Sequence, residues 1–411
     1  MLFLIVYFFS HQIRLRMKYE ILLKSFQDLK KFCEEESFQG WDPYDGLNSW
    51  VIQKTLLGKS RLFRLAWIQL FKRNPINLRT IFGVKKDYNP KGLGLFLIGY
   101  CNLYKIEQKD EYLNKINALA EQILKLQTNG YSGACWGYNF DWQARAFFQP
   151  KYTPTIVATS FIAEALFKAY DITKEKTYLD TAISTKNFVL NDLNKTFDED
   201  KNYTLSYSPI DNTQVFNAGL LGAKLLSLIY KYTNDDFMIY EAKKIVNYVC
   251  KKQDIDGSWT YGTLDFHKWV DNFHTGYNLE CIFEYQKISN DYTFDPFLKK
   301  GLKYYVETFF TIDGISKYYN DSLYPIDIHS PAQLIVTLSK LGVFAENRDL
   351  IEKVLSWTVA NMQSPKGYFY YQIKKYTTSK IPYIRWAQSW MFYAFTYYHI
   401  EYNLNEQNQD T

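Results

Sequence analysis

The chain lacks the cysteine spacing of a disulfide framework or a structural zinc site. Its five cysteines (Cys33, Cys101, Cys135, Cys250 and Cys281) lie far apart, with no Cys-x-x-Cys and an odd total. That pattern argues for a reducing, cytoplasmic compartment. Long apolar runs are also missing. The longest, at the start of MLFLIVYFFS, covers nine residues and falls short of the roughly 18–20 needed to span a bilayer. No basic residue precedes it, and Arg14 and Arg16 follow without a small-residue cleavage site, so a signal peptide is disfavoured. Residues 1–16 therefore read as an extension or a mis-assigned start ahead of Met17, with a membrane-associating segment as the alternative. The net charge of +5 spreads along the chain without a basic block, which argues against nucleic acid. Gly-x-Ser-x-Gly, P-loop, dinucleotide and His-Glu-x-x-His motifs are absent. Common serine hydrolases, nucleotide kinases and Rossmann enzymes are thereby set aside.

What the chain has is aromatic residues, 18% of the total with 36 Tyr, and a repeat. Six segments share a polar or small start and a strongly apolar continuation. They begin at Asn89, Thr153, Thr213, Asp271, Asp327 and Pro382, at spacings of 64, 60, 58, 56 and 55 residues. Apolar residues run nearly all round each, as expected of an inner helix. Between them lie six amphipathic helices with apolar residues at i, i+3, i+4 and i+7, such as DEYLNKINALAEQILKLQ and DPFLKKGLKYYVETFF. Gln127, Gln253 and Gln363 recur near their ends, each before a glycine-aromatic loop. Six inner and six outer helices in alternation predict an all-α (α/α)6 toroid, since no hairpin buries its own apolar face alone. Residues 17–402 form one domain with a helical insertion near 48–87, and 403–411 form a disordered tail.

In such a ring the loops entering the inner helices gather at one mouth. Those loops hold the candidate residues. Asp45 and Asp141 are candidate catalytic carboxylates; turn formation and a helical ion pair of Asp141 with Arg145 are the respective structural alternatives. His274 and His329 fall at equivalent inner-helix starts and are candidate acid/base groups, the alternative being inert polar residues of a helix N-terminus. Candidate substrate-binding residues are Trp41, Asp42, Tyr44, Trp136, Tyr138, Trp142, Arg145, Trp259, Asp271, Tyr277, Tyr368, Arg385 and Trp386. Their flat faces suit sugar rings, and the arginines suit a sugar carboxylate. His267, Asp271 and His274 lack a known zinc spacing, so no metal is expected, and no cofactor.

GWDPYDGLNS, CWGYNFDWQAR, DNFHTGYNLE and DIHSPAQ, taken with the repeat, resemble the six-hairpin glycosidase-like superfamily. That superfamily includes unsaturated glucuronyl hydrolases, N-acylglucosamine 2-epimerases and uronate C5-epimerase domains. More narrowly, these strings resemble a bacterial group associated with capsule, O-antigen or exopolysaccharide synthesis. The resemblance covers Lys18 to Tyr402. It implies a saccharide, uronic-acid-containing or other, in a central cavity, and epimerase, hydrolase or lyase chemistry by acid and base. A non-catalytic saccharide-binding or scaffold subunit is the alternative function. The terpenoid cyclases share the architecture, but their Asp-x-Asp-Asp acid is absent, and Leu279-Glu280 before Cys281 breaks the prenyltransferase Asp-x-Cys pair. The oligomeric state is not legible.

Overall fold

The computed structural model describes residues 2–145 and 147–409, and the side chains of all of these except 2–16 and 405–409. The helices are α1 (Leu2–Glu35), α2 (Trp50–Lys54), α3 (Arg61–Arg73), α4 (Pro90–Ile106), α5 (Asp110–Lys125), α6 (Ile156–Thr173) and α7 (Lys176–Asn187). They continue as α8 (Phe216–Thr233), α9 (Asp236–Cys250), α10 (Asn272–Ser289), α11 (Asp295–Phe309), α12 (His329–Lys340), α13 (Arg348–Met362) and α14 (Ser389–Gln409).

The inner helices α4, α6, α8, α10, α12 and α14 each pack on two others of the set, and the last returns to the first. The ring therefore closes. Around it run α1, α5, α7, α9, α11 and α13. This is the (α/α)6 toroid that the repeat predicts. Side chains explain the entry points: Asn89, Thr155 and Asp271 accept the backbone N–H three residues on and cap α4, α6 and α10, satisfying an otherwise orphaned donor. At the opposite ends, Lys174, Asn234 and Asn290 adopt left-handed backbone (φ 59, 53 and 56°) and stop α6, α8 and α10 within one or two residues of the next turn. Inner-to-outer links are thus short, and outer-to-inner links are long and carry the site.

The recurring Gln has a structural task. Gln253 donates through Nε2 to the Gly257 carbonyl at 3.0 Å, and Gln363 does the same to Gly367 at 2.9 Å. Both glycines sit at positive φ, and a Cβ on Gly257 would lie 2.5 Å from the Lys300 carbonyl oxygen, so a side chain there is excluded. Small hairpins decorate the long loops: β1 (Trp142–Gln143) with β2 (Phe148–Gln149), β3 (Lys195–Phe197) with β4 (Tyr203–Leu205), and β5 (Ile326–Asp327) with β6 (Gln372–Ile373) and β7 (Thr378–Ser379).

The axis of the ring is filled by charge as well as by apolar packing. Lys224 of α8 lies 2.6 Å from Glu164 of α6 and 2.5 Å from Glu280 of α10, and Lys340 of α12 lies 2.8 and 2.6 Å from the same two carboxylates. All four side chains are buried. Glu164, Lys224 and Glu280 each stand eight residues past a helix start, so this square sits about 12 Å below the mouth at 1.5 Å per residue. The three helices run on for nine residues beyond it, so it lies near the middle of the ring.

At the N-terminus α1 is continuous from Leu2, and at the C-terminus α14 continues to Gln409, into the segment 403–411 assigned to a tail; Asp410 and Thr411 lie outside the described residues. Among the described residues no helix is long and apolar enough to cross a membrane.

Candidate active site

The inner-helix N-termini and their loops enclose a cavity of about 650 Å³. Its wall contains His267, His274 and His329, seven tyrosines, three tryptophans and the basic side chains Lys72, Arg73, Lys91, Arg145 and Arg385, and, among the described residues, no Asp or Glu.

His274 is the third residue of α10. Asp271, the N-cap, accepts its backbone N–H at 3.1 Å and lies 2.8 Å (Oδ2) and 3.0 Å (Oδ1) from its Nδ1. In a neutral ring, a proton on Nδ1 facing the carboxylate leaves Nε2 as the acceptor. The side chain is 18% exposed, and the residue lines the cavity.

His329, the first residue of α12, is fully enclosed. Its Nε2 is 2.9 Å from the Tyr277 hydroxyl, its ring stacks on Phe273 at 4.3 Å, and its Nδ1 has no hydrogen-bond partner among the described residues. Burial, then the nearby Lys91, His274 and Arg385 charges, hold its pKa well below the ordinary histidine value. Tyr277 in turn lies 3.4 Å from Lys91 Nζ. Lys91 faces the rings of Phe161, Tyr277 and Trp390 and makes no ion pair among the described residues. Burial and then Arg385 push its pKa well below the usual lysine range, with Asp42 opposing. Lys91, Tyr277 and His329 thus form a line of three contacting polar groups along one wall.

Arg385 enters from a π-type turn, Ile384–Gln388, ahead of α14. Asp42 accepts from its Nε at 2.5 Å and its Nη2 at 2.9 Å, and burial is outweighed by this carboxylate, which holds the guanidinium above its ordinary pKa. Tyr261 stacks on Trp269 at 4.3 Å with 12° between planes, and His274 lies 4.7 Å from Tyr261, so an aromatic platform adjoins the imidazole.

No protein-family model and no curated protein matches this chain. Solved structures do. A cellobiose 2-epimerase from Bacillus thermoamylovorans is similar at 13% identity and a TM-score of 0.61, over 76% of this chain and 88% of that one. A GH76 α-mannanase from Bacteroides thetaiotaomicron is similar at 13% identity and 0.60, over 76% and 87%. An unsaturated glucuronyl hydrolase specific for heparin is similar at 12% identity and 0.56, over 77% and 88%. The likeness is one of fold: these structures and this chain share the (α/α)6 toroid.

Within the toroid, Tyr44, Tyr138, Trp142, Arg145, His274, Tyr277, His329, Arg385 and Trp386 come together in the cavity wall. The other candidates do not line it. Asp45 accepts from Arg79 Nε at 2.6 Å and from the Asp42 N–H; burial lifts its pKa to about 6 despite Arg79. Asp42 and Asp271 stand one layer back, behind Arg385 and His274. Asp141 accepts from the Lys151 N–H and from Gln53, and Trp142–Gln143 pairs as a strand with Phe148–Gln149, so the helical spacing to Arg145 does not exist. Trp136 and Trp259 are buried with their indole N–H groups on the carbonyls of Ile123 and Val249, near the ends of α5 and α9. Trp41 donates to the Val84 carbonyl, and Tyr368 packs on Phe32. His267 lies in a separate turn, Asp265–His267, before α10.

Several wall residues escaped the sequence reading. Tyr318 and Tyr319 sit in mid-loop, away from any helix start. Lys91 did carry a signal: it is a lysine one residue inside an otherwise apolar inner helix.

Proposed function

We propose that the protein is a carbohydrate-active enzyme that moves a proton at carbon on an anionic, uronic-acid-containing saccharide, in the manner of an epimerase or lyase. One observation carries the reading: the cavity wall offers imidazoles, phenols and five basic side chains but, among the described residues, no carboxylate. Glycoside hydrolysis by the common route needs two carboxyl groups flanking the scissile bond, whereas proton abstraction next to a sugar carboxylate needs a base and a cationic environment for the developing charge. His274, oriented by Asp271, supplies the base. Tyr277, bonded to His329, supplies a proton donor from a different helix position. Arg385 and Arg145 receive the carboxylate, and the Tyr261–Trp269 platform stacks against the ring.

The names of the similar structures, two of them a sugar epimerase and a glucuronyl hydrolase, support a saccharide ligand. The narrower resemblance to capsule, O-antigen and exopolysaccharide proteins extends the reading to surface-polysaccharide metabolism. The test is incubation with uronic-acid oligosaccharides in deuterated water. Deuterium incorporated at carbon indicates epimerisation, and new ultraviolet absorbance of an unsaturated uronate indicates a lyase. New reducing ends without either would overturn the proposal in favour of hydrolysis, and binding without turnover would favour a non-catalytic saccharide binder.

A further inference from the structure

The even spread of charge read along the chain conceals one segment. From Gly46 to Lys86 there is no Asp or Glu and there are nine Lys and Arg, leaving 39 basic against 43 acidic residues in the rest of the chain. The protein's positive charge therefore belongs to the insertion between α1 and α4, and the remainder is net acidic.

The same segment leaves large aliphatic side chains in the open. Leu56 and Leu62 are each 78% exposed, Ile81 70% and Ile76 67%. Helix α3 shows why. It carries two apolar stripes: Ile68 and Phe71 are buried, with Trp67 stacked on Phe63 at 5.4 Å, and they build a small core with Leu47 and Ile52. Leu62, Ala66 and Leu70, spaced by four on another face, stay exposed. Lys54, Lys59, Arg61, Arg73 and Lys85 of the same segment are exposed as well. Apolar side chains offered to water on a segment whose own charges are all positive are the composition of a surface that meets the headgroup layer of an anionic bilayer. Duplex nucleic acid would use the cations but gain little from protruding Leu and Ile.

We propose that this insertion docks the protein on an anionic lipid surface. Helix α3 also lines the cavity through Leu65, Ala66, Gln69, Lys72 and Arg73, so docking would set the cavity mouth beside the headgroups. The inference is independent of the chemistry proposed above.

The test is sedimentation of the full chain with vesicles of phosphatidylcholine alone and of phosphatidylcholine with phosphatidylglycerol. Binding is expected only to the anionic vesicles and is expected to weaken with salt. The triple variant Leu56→Asp/Leu62→Asp/Ile76→Asp, at positions that do not line the cavity, should reduce vesicle affinity by about tenfold or more while retaining the thermal transition. The charge variant Lys54→Gln/Lys59→Gln/Lys85→Gln keeps the apolar side chains and should bind more weakly at low salt, covering the case of a misfolded triple variant. No binding by the unmodified chain, equal binding by both variants (which would point to residues 2–16), or retention by a nucleic-acid duplex in preference to vesicles would each overturn the proposal.

Discussion

Asp271 holds His274 twice, accepting its backbone N–H at 3.1 Å and facing its Nδ1 at 2.8 Å. One carboxylate thus starts α10 and orients the imidazole that the helix presents to the cavity. Helix nucleation and base orientation are the same local event.

Asp271→Asn separates the two tasks. Asparagine remains a good N-cap, so the thermal transition should barely move. Its amide no longer fixes the proton on Nδ1, and turnover should fall on the order of 10²–10⁴-fold, the usual worth of a positioned base. Asp271→Ala should lose the activity and, in addition, about 1 kcal/mol of stability from the missing cap. Paired rate and thermal-unfolding measurements decide it, and equal activity in the Asn variant would remove His274 from the mechanism.

Arg385 and Asp42 tie the last inner helix to the first long loop through two hydrogen bonds of 2.5 and 2.9 Å. Asp42→Ala leaves the buried guanidinium uncompensated and should cost about 3–5 kcal/mol by urea unfolding. Saccharide bearing a carboxylate should recover part of this loss and a neutral saccharide none, because only the former replaces the missing charge.

The axial square predicts non-additivity. Lys224→Met strands excess negative charge between Glu164 and Glu280 and should destabilise by about 3–5 kcal/mol. The double variant Lys224→Met/Glu280→Met keeps the Lys340–Glu164 pair at 2.8 Å and should be less damaged than the single one. A double-mutant cycle reads the coupling directly.

Among the described residues His399 has no hydrogen-bond partner at either ring nitrogen, and it packs among Phe26, Tyr398 and Phe395; burial lowers its pKa to about 4. The unfolded chain, with a histidine near 6.5, binds the proton more readily than the folded one. Stability should therefore be intact above about pH 6.5 and fall as pH drops toward 4, with His399 accounting for up to about 3 kcal/mol of that loss. His399→Phe should flatten this limb of the stability–pH curve. An unchanged acid limb would show that the folded protein already accommodates the charge.

Much of the fold was legible because its signals are local. The near-continuous apolar character of the inner helices, the caps Asn89, Thr155 and Asp271, and the Gln-to-Gly exits each act within a few residues of chain. His274 was legible for the same reason: its partner Asp271 lies three residues away. Lys91, Tyr277 and His329 were not legible as a group, because their contacts join α4, α10 and α12. Nor could the sequence say that Trp136 and Trp259 face the outer helices while Trp269 faces the cavity, since all three stand in similar aromatic loops.

By itself, the sequence determined that twelve helices alternate between apolar and amphipathic, that they must close a ring to bury their faces, and that one acid-free insertion interrupts them. Only the tertiary structure decided which polar groups share the cavity. Carboxylates as promising in sequence as Asp42 and Asp45 were drawn off to neutralise the buried Arg385 and Arg79, because an unpaired charge in a closed interior costs more than the pairing does. That withdrawal leaves the cavity wall to imidazoles, phenols and basic side chains.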